Sequence, residues 1–310
     1  MILDLSPEAD EFGRQALRAF ESAGGDELLQ QAEAKPFDRE ALVGGVLGDL
    51  GAWDLEPRAD SDSLEAAAAL CRSAGYWALP YPVAERLSRP TTGDTAGLLV
   101  VAETNPSAPV VGVRLPWTAV TLAGQSRTVV GTSAARPGFV AELELSSTTA
   151  EAPDDVALGL VLPCWTLLGM LDRALALTIE HVRLRQQFGQ PLSKFQSVQF
   201  QLTDAEVERS GLEILAKHAL WSAGPSSGTS AAEALDDALA LRMAAIEAAE
   251  VVFRVCHQLH GAVGFCDETT LSWLSRYSQP LRRLPFGLSA TRDLLTARID
   301  GRGLTGLYAG

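Results

Sequence analysis

Two glycine-containing stretches in the second half of the chain carry clusters of basic and polar side chains. The first, Arg183 to Gln196, reads RLRQQFGQPLSKFQ and is basic on both sides of a Phe-Gly pair. Such a stretch offers a local site for one anionic group. By pattern alone, a simpler interpretation is a helix end, because Gly189 accepts left-handed dihedral angles, Pro191 cannot continue a helix, and arginines suit the negative end of the helix dipole. Both interpretations stay open at this stage.

The second stretch, Gln258 to Phe265, reads QLHGAVGF. A long helical pattern ends at His260-Gly261, and we expect residues 262–265 to form a glycine-containing turn. The alternative for Gln258 and Phe265 is ordinary packing at a helix end.

Long amphipathic helices must position both stretches. Apolar residues recur at intervals of three and four on each side of the first stretch and before the second, which predicts one apolar face per helix. The residues are Leu168, Leu171, Leu175, Ile179 and Val182, then Val198, Leu202, Ala205, Leu212, Leu215 and Ala219, then Leu235, Leu239, Ile246, Ala249, Phe253 and Cys256. A last helix is predicted from about 289 to 299.

The first half of the chain divides into a region with helical patterns and a region with strand patterns. Residues 1 to about 90 read as helical, with Ser6-Pro7 as a helix start and further helices at 42–50, 64–79 and 83–87. Between about 96 and 150, short β-branched or alternating runs predict strands at 98–101, 110–113, 128–130 and 139–145. The predicted fold class is mainly α with a small β-domain: an N-terminal helical domain (1–92), a reduced β-domain (93–153) and a C-terminal four-helix bundle (154–310).

Composition excludes several function classes. The chain is 47% hydrophobic and 21% charged, which is typical of a globular protein. Its formal net charge of −14 argues against nucleic-acid or anionic-membrane binding, and we expect no apolar run long enough to span a bilayer. The four cysteines have neither metal-site nor disulfide spacing, so a reduced, cytoplasmic setting is expected. His257 and His260 share one helix face, but no carboxylate or cysteine completes a metal site.

The two stretches resemble the C-terminal signatures of acyl-CoA dehydrogenases. That family has an R-x-x-F-G pattern followed by a glutamine, and later Q-x-x-G-G-x-G-F with an acidic residue soon after. Here these are residues 185–189 with Gln196, and residues 258–265 with Glu268. The order of helical, β and helical regions is also similar to that family, although the motifs support only the part from about residue 156 onward.

The resemblance implies an FAD site shared between subunits. In the family, both turns reach across a dimer interface to the ADP half of a neighbour's FAD. By resemblance, Arg185 meets the pyrophosphate, Phe188 packs near the adenosine half, and Gln196, Gln258, Gly261 and Ala262 complete the contacts. A guanidinium can fork onto phosphate oxygens, and small residues let backbone N–H groups approach an anion. Ala262 replaces the family's second glycine.

The chain departs from the family where the chemistry occurs. The reaction needs a carboxylate to take the proton alpha to the thioester. Family members place it before the last helix or on the helix preceding R-x-x-F-G, and here those positions fall at residues 284–287 and 158–160, none of them acidic. The β-domain is about half the usual size and lacks the family's flavin-ring loops; Trp117 and Thr118 are the nearest trace. We therefore expect no catalytic and no metal-binding residues in this chain.

The resulting hypothesis is a non-catalytic subunit of a heteromeric, FAD-dependent acyl-CoA dehydrogenase. A catalytic partner subunit would supply the glutamate, most simply in an α2β2 heterotetramer. The acyl-CoA substrate would be bulky or steroid-derived, and an electron-transfer flavoprotein would be a further partner. Two alternatives are a homomeric enzyme with an unusual base, such as Asp267 or Glu268, and a flavin-free assembly scaffold.

Overall fold

The N-terminal region is helical, as predicted. The structure is a computed structural model that describes residues 4–91, 93–147 and 150–302. The predicted domain limits at 1, 92 and 310 lie outside these residues, and the proposed division into three domains stays a prediction. Helix α1 begins where expected, since the Ser6 side chain accepts a hydrogen bond from the backbone N–H of Ala9 beside Pro7. The helices are α1 (Pro7–Ser22), α2 (Asp26–Ala34), α3 (Arg39–Asp49), α4 (Ser61–Tyr76) and α5 (Val83–Leu87).

A six-stranded mixed sheet follows. Its strands are β1 (Gly97–Val101), β2 (Ser107–Ala108), β3 (Trp117–Thr121), β4 (Gln125–Arg136), β5 (Val140–Leu145) and β6 (Ala150–Glu151). The order is β1-β3-β4-β5-β2, with β6 paired to β4, and only β1 and β3 run parallel. The predicted strand at 110–113 is wrong, because that run is a buried loop, whereas β3 was not predicted.

The C-terminal region is a helical bundle, so the predicted fold class is confirmed. Its elements are α6 (Val156–Leu184), β7 (Gln186–Gln187), β8 (Gln190–Pro191), α7 (Gln196–Ser222), α8 (Ala231–His260), α9 (Thr270–Tyr277), α10 (Gln279–Arg283) and α11 (Leu288–Arg302). Helices α6, α7, α8 and α11 match the four expected long helices, while α9 and α10 were not anticipated as separate helices.

Helix α6 is the centre of the core. Its Trp165 and Leu168 are completely buried, and it crosses α4 at very short range. A Cβ atom built on Gly75 would lie 1.9 Å from the carbonyl oxygen of Thr166, and one on Gly169 would lie 1.9 Å from that of Arg72. Two glycines on facing helices therefore permit a backbone approach that alanine would forbid.

One expectation about membranes needs correction. The segment Pro153–Leu184 is long and apolar enough to cross a bilayer by length and composition, contrary to the expectation that no such run exists. However, 67% of its most apolar window is buried inside the protein. A helix that is apolar all round and covered by other elements is the core helix of a globular fold.

Candidate functional site

The first of the predicted stretches forms a projecting elbow. Helix α6 ends at Leu184, and the next residue, Arg185, is extended, with its N–H bonded to the carbonyl of His181 at 2.8 Å. Strands β7 and β8 then form a hairpin whose turn is Phe188 (φ +52°) and Gly189 (φ +79°). We name residues 185–196 the first elbow. The basic helix end and the turn of the simpler interpretation are both present, but the helix ends at Leu184, and Gly189 lies in the hairpin turn rather than at the helix end.

The hairpin of the first elbow, residues 185–190, is exposed, whereas Leu192 and Phe195 pack partly buried against the core. Phe188 is 91% exposed, and its ring makes an edge-to-face contact with that of Phe195, with ring centroids 6.2 Å apart. Arg185 is exposed, and so is Gln196, the first residue of α7. A bulky aromatic residue in the left-handed region costs about 1–2 kcal/mol. Backbone strain at a residue whose ring is exposed to water is typical of a surface that contacts a ligand.

The second stretch forms another exposed turn, which we name the second elbow (residues 258–265). Helix α8 ends at His260, Gly261 has φ +64°, and a 3₁₀ turn runs to Phe265. Gln258, Gly261 and Ala262 are exposed, and Phe265 is 67% exposed. Gly264 is buried, and an added Cβ would lie 2.9 Å from Cβ of His260. The turn therefore needs glycine at 264 for its own packing.

One ring stack links the helices that carry the two elbows, and a second ring stack lies within the second elbow and the end of α8. The imidazoles of His181, on α6, and His260, on α8, stack with centroids 4.3 Å apart and planes 19° apart. His257 stacks in the same way on Phe265, at 4.3 Å and 14°. Burial lowers the pKa of all three histidines, and for His181 and His257 the charge of His260 lowers it further. The stack of His181 on His260 thus links the ends of α6 and α8, from which the two elbows extend, and the sequence did not reveal this contact.

These residues fit the nucleotide half of a dinucleotide. They offer an exposed guanidinium, two exposed amide side chains and an exposed aromatic ring, which are the groups that bind phosphates and stack on a purine. Around Gly261 a Cβ atom would meet nothing within 4 Å, so the backbone there is open to a close approach. All six predicted contact residues are exposed on the two elbows. The resemblance assigns none of them a contact with the isoalloxazine ring.

The two positions where the family carries its base meet at one small cavity. Gly159 and Leu160 of α6 and Leu284 and Pro285 after α10 line a space of about 40 Å³. That volume accommodates only a few water molecules and no acyl chain. These residues are far apart in the sequence, and the fold brings them together. The space that they surround is too small for a thioester substrate.

An acidic residue that the sequence analysis did not single out faces this region. Glu85 of α5 lines the 40 Å³ cavity and an adjoining one of about 60 Å³. Burial raises its pKa to about 7, against the opposing charge of Arg39. Burial likewise lowers the pKa of Arg39 to about 9, and its Nε donates to the carbonyl of Pro80 at 2.7 Å. The sequence analysis did not single out Glu85 because an isolated glutamate belongs to no recognisable motif.

The other candidates lie elsewhere. Asp267 accepts a hydrogen bond from Arg276 at 2.8 Å in an exposed ion pair, and Glu268 is exposed beside it. Trp117, which the sequence analysis named as the nearest trace of the family's flavin-ring loops, is 3% exposed and packs beneath Gly97. It is a core residue. Over residues 4–91, 93–147 and 150–302, no group of three or more His, Cys, Asp or Glu side chains could hold a metal ion. The four cysteines are free thiols.

Sequence comparison matches the second half of the chain to one family. Residues 161–287 match the model of the acyl-CoA dehydrogenase C-terminal domain. The acyl-CoA dehydrogenase FadE28 of Mycobacterium tuberculosis is 33% identical over 132 residues, which is 42% of this chain and 37% of that protein. FadE27 of the same organism is 34% identical over 100 residues, 31% of this chain and 27% of that protein. The sequence match therefore spans about a third of these relatives.

Structural comparison extends the likeness to nearly the whole chain. The Tcur3481-Tcur3483 steroid ACAD superposes with a TM-score of 0.80 at 20% identity, covering 97% of this chain and all of that one. The ChsE4-ChsE5 complex from Mycobacterium tuberculosis superposes with a TM-score of 0.73 at 17% identity, covering 98% and 100%. At such identities the likeness concerns the fold. Residues 161–287 are thus an acyl-CoA dehydrogenase C-terminal domain, and the chain has the acyl-CoA dehydrogenase fold.

Proposed function

We propose that this chain is the non-catalytic subunit of a heteromeric, FAD-dependent acyl-CoA dehydrogenase. Its two elbows contact the ADP half of an FAD whose reactive ring and catalytic glutamate belong to a partner subunit, in an α2β2 heterotetramer. When bound, FAD accepts the hydride that leaves the beta carbon of the acyl-CoA. This chain's own residues hold and orient the nucleotide end.

The observation that carries the proposal is the exposure of the two elbows. Phe188, at 91% exposed, and Phe265, at 67% exposed, stand in solvent, as does Arg185, and the stack of His181 on His260 links the helix ends from which the elbows extend. A pair of pre-positioned, unburied contact turns suits a ligand carried by another subunit. The small cavity of about 40 Å³ at both expected base positions supports a partner that supplies the acid–base chemistry.

The choice of substrate and partners rests on analogy. Two structural neighbours are a steroid ACAD and a two-component complex, which supports a bulky, steroid-derived acyl-CoA and a second subunit. Another neighbour belongs to an electron-transferring flavoprotein structure, in line with such a protein as a further partner. We place the complex in the cytoplasm, where free thiols persist.

Arginine substitutions in the co-purified complex test the proposal. Arg185→Ala removes a charged hydrogen-bond donor, so FAD should dissociate about 10- to 100-fold more readily, as expected for a loss of about 1–3 kcal/mol. Arg183→Ala is the matched control, since Arg183 is exposed two residues earlier but faces the groove between α6 and α7. Flavin retention is measured by absorbance after gel filtration.

Three outcomes would contradict the proposal. Stoichiometric flavin and full turnover in the chain produced alone would show a self-sufficient homomer. No effect of Arg185→Ala on flavin would favour the scaffold. Equal losses in Arg185→Ala and Arg183→Ala would mean that general charge, rather than the elbow, holds the nucleotide.

A further inference from the structure

Arg242, on α8, is a deeply buried cation with an unused hydrogen-bond donor. It is 3% exposed, and its side chain lines the cavity of about 40 Å³. Its two terminal nitrogens donate to the carbonyl oxygens of Leu281, at 2.9 Å, and Phe286, at 2.7 Å. Its Nε is buried and has no hydrogen-bond partner in the part of the chain that the structure describes. One donor of this guanidinium is therefore available to a ligand in the cavity.

The positive charge of Arg242 is also unmatched. Across the described residues, the group that could offer it a negative charge is the thiol of Cys164 on α6. Burial raises the pKa of that thiol to about 12, so the thiol is neutral. Burial also lowers the pKa of Arg242, but a guanidinium stays protonated at neutral pH. Because a buried charge is costly without a partner, an anion beside Arg242 would stabilise the folded chain.

Glu85 does not supply the missing negative charge. It is the acidic residue among those that line this cavity, and the charge that opposes it comes from Arg39, which is 2% exposed and lines the adjoining cavity. Burial raises the pKa of Glu85 to about 7, so a large share of its carboxyl groups are neutral at that pH. Two buried guanidiniums thus have one incompletely ionised carboxyl between them, and the region keeps a net positive charge.

The size and the wall of the cavity select the ligand. A space of about 40 Å³ holds only a few water molecules, so it excludes a nucleotide or an acyl group. Much of its wall is apolar, with Leu99, Val100 and Leu160 among the lining residues, and a charge interaction is stronger in such surroundings than in water. A halide ion is about as large as a water molecule and only accepts hydrogen bonds, which suits a site with an unused N–H donor.

We propose that a chloride ion binds in this cavity against Nε of Arg242. The other two nitrogens of the same guanidinium hold the carbonyl oxygens of Leu281 and Phe286, on either side of Leu284 and Pro285. The ion therefore stabilises the attachment of α8 to the segment at which the family places one of its bases. The inference goes beyond the proposed function, because it needs neither flavin nor a catalytic subunit.

Urea unfolding of the full chain gives the first test. At equal ionic strength, the unfolding midpoint should rise as potassium chloride replaces potassium gluconate, because a ligand that binds only the folded state stabilises it and gluconate is too large for the cavity. Arg242→Met should abolish this rise. Arg254→Met is the matched control, since Arg254 is exposed on the same helix, and it should keep the rise.

Two further variants keep the test decisive if Arg242→Met does not fold. Ala108→Val fills part of the cavity and leaves both arginines in place, so it should abolish the chloride dependence. Glu85→Gln removes a competing negative charge, so its midpoint should respond at lower chloride concentrations than that of the unaltered chain. Equal midpoints in the two salts, or the same chloride dependence in Ala108→Val as in the unaltered chain, would overturn the proposal.

Anomalous scattering from bromide locates the ion. Crystals of the full chain soaked in sodium bromide should show a bromide peak in the cavity, in contact with Nε of Arg242. Bromide confined to the protein surface, or a water molecule at this position, would overturn the proposal. Arg185→Ala, which tests the proposed function, should leave the bromide peak in place. Flavin retention is measured separately, so failure of the chloride site leaves the proposed function standing.

Discussion

The imidazole rings of His181 and His260 stack 4.3 Å apart, and this contact links the ends of α6 and α8. His181 also accepts the backbone N–H of Arg185 through its carbonyl at 2.8 Å, while His260 Nδ1 lies 3.0 Å from the carbonyl oxygen of Cys256. The position of the first elbow is thereby coupled to that of the second. Protonation of both rings would set two positive charges face to face.

The first prediction is that flavin retention by the complex weakens in acid. Burial lowers the pKa of both histidines from the ordinary 6.5, so the stabilisation is present above pH 6.5 and is lost as the pH falls through the lowered values. Dissociation of FAD, followed by fluorescence between pH 5 and 8, should therefore accelerate on the acidic side of the range.

Replacing one ring separates the stack from general acid effects. His260→Phe keeps an aromatic ring against His181 but cannot become charged. It should therefore reduce the acceleration of FAD release at low pH, which is the acid limb of the pH profile. His218→Phe, remote in sequence and beside Trp221, is the control and should leave that limb unchanged. An unaltered acid limb in His260→Phe would contradict this role of the stack.

The second prediction concerns the strained residue Phe188. Its φ of +52° suits glycine, so Phe188→Gly should leave the chain as stable as before or more stable by about 1 kcal/mol. The same change should weaken flavin retention, because the 91% exposed ring is lost. Stability is measured by urea unfolding and retention by gel filtration of the complex.

Gly189→Ala is the counterpart, since its φ of +79° penalises any side chain while its surroundings are open. It should destabilise the hairpin by about 1 kcal/mol. A marked loss of stability in Phe188→Gly would mean that the ring serves folding rather than contact with a ligand.

Periodicity predicted most of the fold because the long helices each bury one face. It failed in the β region, where short apolar runs look alike. Val110, Val111 and Val113 are apolar because their loop is buried in the core, where the carbonyl of Val111 accepts a hydrogen bond from the guanidinium of Arg39. Strand β3 carries Thr118 between buried Trp117 and Ala119, a pattern too short to recognise.

The six residues of the candidate site were named from the family resemblance, and their contact with FAD stays a prediction; the structure adds how the two turns that carry them are placed. The spacing of Arg185, Phe188 and Gly189 identified the first elbow, and Gly261 the second. Nothing in the sequence places His181 on His260, because the contact depends on how α6 and α8 pack. Likewise, the raised pKa of Glu85 arises from burial between elements, which no local pattern encodes.

The third prediction concerns that buried carboxyl. Its folded-state pKa of about 7 lies above the ordinary 4.5, so its contribution to stability is fully present below pH 4.5 and is lost as the pH rises through 7. The free energy of unfolding should fall by up to about 3 kcal/mol across that interval through Glu85 alone. Glu85→Gln should remove this dependence and be the more stable form at pH 8. Glu247→Gln, at an exposed site on α8, is the control.

The same substitution separates a structural acid from a catalytic one. A carboxyl with a pKa near neutrality beside the two expected base positions resembles a general base, yet the adjoining cavities of about 60 and 40 Å³ admit no acyl chain. In the complex, Glu85→Gln should therefore change the pH dependence of unfolding and leave turnover intact. Abolished turnover with unchanged flavin content would instead assign the proton acceptor to this chain and refute the proposed division of labour between subunits.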